Sequence, residues 1–274
     1  MGGNKEIFYH LGLGKVASTY LQHRFFPKLK GINYIPTNRY RSYPEILKKH
    51  SAERFILSRE NDRQLETEVK KFAQHFTEVR AILIFRRHDS WLASQYRRFV
   101  KNGLSVPFEK FIDLENNQGY WDQKELNFFR KIEVIEENFD HKPLVLFHDE
   151  IKEDSKAFFD KIAGFTGSTY ELDEINLSPF HKSYNEKQLL IMRKLGPIFL
   201  PMGRSYSNNR ILATLQRYWR MMIKYPILYI ANVLPNALVK NEQLINPKQL
   251  ELIRKRYESD WQKLLEYAKK NNPI

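Results

Sequence analysis

Residues 7–22 read IFYHLGLGKVASTYLQ, an apolar, β-prone run that breaks into a glycine-containing loop and then opens a helix. Strand, glycine loop and helix start in that order constrain the fold, because the turn sits at the carboxyl end of a strand and the positive end of a helix dipole. Consecutive backbone N–H groups converge there, so the turn can cradle a phosphate or sulfate group. Gly12 and Gly14 let the backbone approach a ligand closely, Lys15 adds an ammonium, and Ser18 and Thr19 supply caps or hydroxyls. The helix that follows is expected to carry Tyr20, Leu21, Phe25 and Leu29 toward a core. Against the triphosphate loop G-x-x-x-x-G-K-[ST], Gly14 and Lys15 fit, but Tyr9 stands at the first glycine and Val16 at the magnesium-binding hydroxyl. A loop for another kind of anion is therefore expected, with a nucleotide kinase as the alternative.

Three further segments repeat the strand-then-loop arrangement. Ala81–Phe85 is a continuous apolar run that reads as a buried parallel strand, followed by a helix that starts at Asp89 or Ser90 and is closed by Gly103. Arg86 then falls at a strand's carboxyl end, where ligands of open α/β sheets bind, and Ser94 falls on the first turns of the helix, facing back toward it. Phe55–Leu57 precedes a charged turn that contains Glu60. Leu144–Phe147 precedes Asp149 and Glu150, read as turn and cap residues, and then a helix with Phe158, Phe159, Ile162 and Phe165. The expected fold class is α/β, a P-loop-like central parallel β-sheet flanked by helices, with a helical C-terminal region. With 274 residues and 42% hydrophobic content, the chain can bury a full core. One domain over residues 1–274 is expected, with the α/β core in 1–170 and the helical part in 171–274.

GLGKVASTYLQ resembles the 5′-phosphosulfate loop of the sulfotransferase superfamily, P-K-[ST]-G-[ST]-[ST] followed by an aromatic residue and Leu. Lys15, Ser18, Thr19, Tyr20 and Leu21 match, while Gly14 stands for Pro and Ala17 for Gly. Arg86 and Ser94 have the spacing of that family's 3′-phosphate segment. Arg87 and His88 replace its Asn-Pro, which leaves open whether Arg87 reaches the nucleotide. Ser58-Arg59-Glu60 is similar to the Ser-x-Glu of bacterial and heparan-type members, which implies Glu60 as the base, with His10 as the competing candidate. Ser183 matches an Asn-x-Ser stretch near the nucleotide, with His181 in place of Asn and helix capping as the plain alternative. The absence of an Arg-Lys-Gly loop argues against the small-phenol branch.

The resemblance implies a bacterial carbohydrate- or glycolipid-type sulfotransferase. Its cosubstrate would be PAPS (3′-phosphoadenosine 5′-phosphosulfate), its product PAP, and no metal would take part. Gly14, Lys15, Val16, Ala17, Ser18, Thr19, Arg86, Ser94 and Ser183 would hold the nucleotide, and Lys15 and Glu60 would carry catalysis. The implied partners are the anionic nucleotide and a saccharide or lipid-linked acceptor, whose pocket is expected from Arg97, Arg98, Lys101 and the helical segment 207–239.

Composition is compatible with this. The formal net charge is +13, from 45 Lys and Arg against 32 Asp and Glu, which suits an anionic cosubstrate, an acidic glycan or an anionic membrane surface. No zinc spacing, basic zipper or aromatic RNA-binding signature accompanies the charge, so nucleic acid is not an expected partner. The chain has no cysteine, which excludes a thiol nucleophile and disulfides. Its start shows no basic-then-apolar leader, so a cytoplasmic location is expected. No run reaches the about 18–20 apolar residues that cross a bilayer. The nearest, YPILYIANVLPNALV at 225–239, follows basic and aromatic residues from Arg217 onward. It reads either as a helix packed over a core or cleft, or, across 217–239, as a peripheral contact with the inner membrane. A noncatalytic polyanion or membrane-surface binder is the alternative function. The last helix is expected at Pro247–Lys270.

Overall fold

The computed structural model describes residues 5–178, 184–200, 207, 209–239 and 242–272. The chain divides into two compact units, one of Met1–His88, Lys124–Phe180 and Arg256–Ile274, the other of Asp89–Gln123 and His181–Lys255.

The first unit is built on five strands: β1 (Glu6–His10), β2 (Asn33–Ile35), β3 (Arg54–Ser58), β4 (Val79–Phe85) and β5 (Leu144–Phe147). All pair in parallel, in the order β2-β3-β1-β4-β5. Continuous apolar runs suit such strands because parallel sheets are covered on both faces, and Phe8, Tyr9, Ile56, Leu57 and Ala81–Phe85 are all buried. After β1 the chain places β2 and β3 on one side, then crosses to place β4 and β5 on the other. The reversal of strand order falls between β1 and β4, the position at whose carboxyl end open α/β sheets bind their ligands.

β2 was not foreseen: three residues, two of them half-buried, offer too short an apolar run to read. The segment after the first loop also departs from a regular helix. Ser18–Tyr20 is α-helical, Leu21–Phe25 widens into a π-turn, and Phe26–Lys28 tightens into a 3₁₀ turn at Pro27. Proline has no N–H to continue the ladder and restricts the residue before it. Leu21, Phe25 and Leu29 nevertheless reach the core as expected.

The expected C-terminal helix is two helices, Pro247–Arg256 and Glu258–Asn271. Between them Tyr257 stacks on His88 at 5.0 Å. The second helix ends beside the sheet. There the Asn272 side-chain amide accepts from Val145 N–H at 3.0 Å and donates to its carbonyl at 2.6 Å, satisfying edge groups of β5.

The second unit has a core of its own. Trp91 meets Trp121 edge-on at 5.3 Å, and Tyr96 packs on Phe108 and Phe111. Gly103 takes φ 105, and a Cβ on Gly196 would lie 2.8 Å from the Gly103 Cα, so glycine is what lets these backbones meet. The Glu186–Phe199 helix starts with a capping box from Asn185 and Gln188, and the Arg210–Val233 helix is capped by Asn209. Leu228 of that long helix is buried with Met192 and Leu200.

Candidate functional site

The loops after β1 and β3 run side by side. Backbone bonds continue past both strand ends, Arg59 N–H to His10 O at 3.0 Å and Asn61 N–H to Gly12 O at 3.2 Å. This pairing brings the Gly12–Ser18 loop and Glu60 together although about forty residues separate them in the chain.

Within the first loop, Lys15 and Ala17 both take the left-handed backbone conformation, φ 70 and 69. Alternation of this kind turns N–H groups toward one side, the geometry of an anion-binding concavity. Leu13 and Val16 are fully buried and anchor the loop, leaving the Lys15 side chain exposed between them. Ser18 is buried and its hydroxyl donates to Leu13 O at 2.9 Å, which ties the loop to the helix start. Gly14 N–H donates to Asp62 Oδ1 at 2.7 Å, so an amide of this loop is aimed at an anionic oxygen. Thr19 Oγ1 donates to Glu60 Oε1 at 3.2 Å, which orients the carboxylate at the loop's rim.

His10 lies behind the loop. It is fully buried, its Nδ1 is 2.7 Å from Ser58 Oγ, and burial pushes its pKa down to about 3. A methyl group at Gly12 would meet the His10 ring, with Cε1 at 2.7 Å, and lie 2.9 Å from Ser18 Oγ. Gly12 is thus a position of close approach, and His10 is a neutral packed strand histidine.

Arg86 follows β4, the strand beside β1, so it and the Lys15 loop leave the carboxyl ends of neighbouring parallel strands. Strands in a sheet lie about 4.8 Å apart, so the two chain exits are neighbours. His148 follows β5 directly, and its N–H donates to Phe85 O at 2.7 Å. Burial, then the charges of Arg86 and Lys152, lower its pKa to about 4. Arg87 and His88 turn the other way. Arg87 pairs with Glu258, and His88 Nε2 donates toward Leu126 O at 2.9 Å and Asp260 Oδ2 at 3.0 Å, with its ring stacked on Phe128. Asp260 also accepts from the N–H groups of Phe128 and Phe129, so these residues tie the C-terminal helix to the sheet.

A cleft of about 1130 Å³ opens beside Thr19 and Glu60, with Gln22, Phe26, Tyr34 and Arg59 among its walls. The Arg59 guanidinium is fixed 3.1 Å from Glu68 Oε2 and over the Tyr40 ring at 4.6 Å. Solved structures resemble the chain, among them three sulfotransferases. A sulfotransferase from Alicyclobacillus acidocaldarius matches at TM-score 0.48 and 10% identity, covering 85% of this chain and 98% of that one. Mouse sulfotransferase SULT7A1, complexed with PAP, matches at TM-score 0.45 and 16% identity over 97% and 89% of the two chains. The sulfotransferase domain from the curacin biosynthetic pathway matches at 0.40 and 9% over 80% and 98%. No protein-family model matches the chain, and no curated protein does.

Among the expected site residues, Gly14, Lys15, Val16, Ala17, Ser18, Thr19 and Glu60 come together at one end of the first unit's sheet, with Arg86 just past the end of the adjoining strand. Ser94 lies half-buried on the His88–Lys101 helix in the second unit, as do Arg98 and Lys101, while Arg97 on the same helix is exposed. Ser183, with His181, lies outside the described residues. Sequence reading missed Asp62, His148 and the cleft walls at Phe26 and Tyr34. His148 carried a signal, its place directly after an apolar strand; Tyr34 did not, because β2 is too short to read. Among the described residues no group of three or more His, Asp or Glu is placed to hold a metal ion.

Proposed function

We propose that the chain is a sulfotransferase that moves a sulfuryl group from PAPS to a hydroxyl of a carbohydrate or glycolipid acceptor, the whole of residues 1–274 serving one activity. The observation that carries this reading is the Thr19–Glu60 contact at 3.2 Å, which sets a carboxylate at the rim of the left-handed anion loop and at the mouth of a cleft large enough for an acceptor. The residues suit a doubly phosphorylated nucleotide. Lys15 and the loop amides would receive the 5′-phosphosulfate, and Arg86, with Ser94 eight positions on, would take the 3′-phosphate through a planar guanidinium fork and a hydroxyl.

In this mechanism Glu60 accepts the proton of the acceptor hydroxyl as its oxygen bonds to sulfur, while the bond between sulfur and the 5′-phosphate oxygen breaks in line. Lys15 and the oriented N–H groups meet the charge that develops on the departing oxygen, and PAP leaves. Thr19 holds Glu60 in the rotamer that faces the cleft. Ser18 and Val16 act by shaping the loop. Phe26 and Tyr34 offer ring faces and Gln22 and Arg59 polar groups, a lining that suits a sugar or the polar end of a lipid-linked glycan.

Calorimetric titration with adenosine 3′,5′-bisphosphate tests the nucleotide assignment. Micromolar binding, weakened at least tenfold by Arg86→Ala, is the expected result. Preference for ATP with magnesium would replace it with a kinase reading, and no heat with either would leave a noncatalytic anion binder.

A further inference from the structure

The Arg210–Val233 helix has two apolar faces. One is buried in the second unit through Leu228 and Ala231. The other runs from Ile211 through Leu215, Tyr218, Met222 and Tyr225 to Tyr229 in steps of three and four residues, and each of these side chains is at least 47% exposed. Trp219, 69% exposed, lies on the same side of the helical wheel. At 1.5 Å per residue the helix is about 36 Å long, so the stripe is a continuous apolar rail and not a scatter of single residues. Globular packing does not explain a helix whose second apolar face is turned to solvent.

Three properties select among occupants. The helix contains no Asp or Glu, while Arg217, Arg220 and Lys224 lie along it. Arg220 donates to Asn102 O at 3.2 Å and Lys224 to Asn102 Oδ1 at 3.3 Å, on the buried side. Burial, then the charges of Lys101 and Arg220, hold the Lys224 ammonium below its usual range on that same side. Arg217 is exposed and the whole chain carries a formal net charge of +13, so a second copy would bring like charge against like, whereas an anionic surface would attract it. The exposed stripe mixes one Trp and three Tyr with aliphatic residues, the composition that settles at a lipid–water boundary. No helix among the described residues is long and apolar enough to cross a membrane, so the contact would lie in the plane of the surface.

We propose that the Arg210–Val233 helix docks the protein on an anionic lipid bilayer, its outward apolar stripe entering the boundary between headgroups and acyl chains. The inference stands apart from the transferase reading, since neither the helix nor its stripe includes Lys15, Glu60 or Arg86.

Co-sedimentation of the full chain with phosphatidylcholine vesicles, with and without phosphatidylserine, tests it, together with light scattering to count protomers. Binding is expected to the phosphatidylserine vesicles, falling at least roughly tenfold in a Trp219→Glu, Met222→Glu variant that keeps the circular dichroism and nucleotide titration of the parent. Vesicle binding that the variant retains would overturn the proposal. So would absence of vesicle binding, whether the protein proves monomeric or forms a dimer that the variant dissociates; the latter result would assign the stripe to a second copy. Equal binding with and without phosphatidylserine would remove the requirement for an anionic surface.

Discussion

The loop after β1 and the Arg210–Val233 helix use apolar side chains in opposite ways. In the loop, buried Leu13 and Val16 pin a polar backbone, and what is left exposed is a lysine. On the helix, the backbone satisfies itself and the apolar side chains from Ile211 to Tyr229 are turned outward. In its proposed role the first region needs rigidity, because an anion cradle works only if its N–H groups are already aimed. In its proposed role the second needs exposed area, which a regular helix supplies without strain. Substitutions should therefore have large effects in the loop and small effects on fold stability along the stripe.

The largest effect is expected in chemistry. Lys15→Ala and Glu60→Gln should each lower sulfuryl transfer by roughly a hundredfold or more, with the fold intact by circular dichroism, as removal of one oriented charge or base predicts. Wild-type turnover in either variant would strike that residue from the mechanism. Next comes packing. Gly12→Ala would drive a methyl group into His10 and Ser18, and a loss of about 1–3 kcal/mol in urea unfolding is expected, with weakened nucleotide binding. An unchanged midpoint would mean that the loop yields easily and that the contrast with the helix is overstated.

Buried histidine adds a pH dependence. His10 ordinarily titrates near 6.5 but is held at about 3 when folded. Below 6.5 the unfolded chain binds a proton that the folded one refuses, so stability is full above that pH and falls as pH drops toward 3, by about 1.4 kcal/mol per unit for this group. His148, held at about 4, adds to the same slope. Urea midpoints from pH 7 to pH 4 should show a shallower decline in His10→Gln than in the parent; parallel curves would place the acid sensitivity elsewhere.

The smallest effect compares backbone strain with exposed surface. Ala17 sits at φ 69, where a Cβ is costly, so Ala17→Gly should stabilise by up to about 1 kcal/mol after the extra freedom of the unfolded chain is offset. Met222→Ser, on the exposed stripe, should change stability by less than about 0.5 kcal/mol. A larger loss at Met222 than the shift at Ala17 would mean that the stripe is part of a packed core.

Much of the first unit was legible before folding. Continuous apolar runs such as Ala81–Phe85 and Leu144–Phe147 mark strands buried on both faces, and the residue after such a run, Arg86 or His148, must emerge at a carboxyl edge. Asp149 and Glu150 were read as turn residues, and Glu150 does accept Phe147 N–H at 3.0 Å. β2 and the break at Tyr257 were not legible. The first is too short to carry a period, and the second is set by His88 stacking on Tyr257 from far along the chain. Pro27, by contrast, was visible but was read through.

Local spacing alone determined that a glycine loop with Lys15 follows the first strand and that a guanidinium follows the apolar strand at 81–85, because side-chain period and glycine freedom act over a few residues. Which strands are neighbours is a matter of long-range pairing. Only the tertiary structure put β1 between β3 and β4, joined Thr19 to Glu60, sealed His10 behind Gly12, and turned the rail of Trp219 and Tyr229 outward, since burial is decided by what the rest of the chain leaves room to cover.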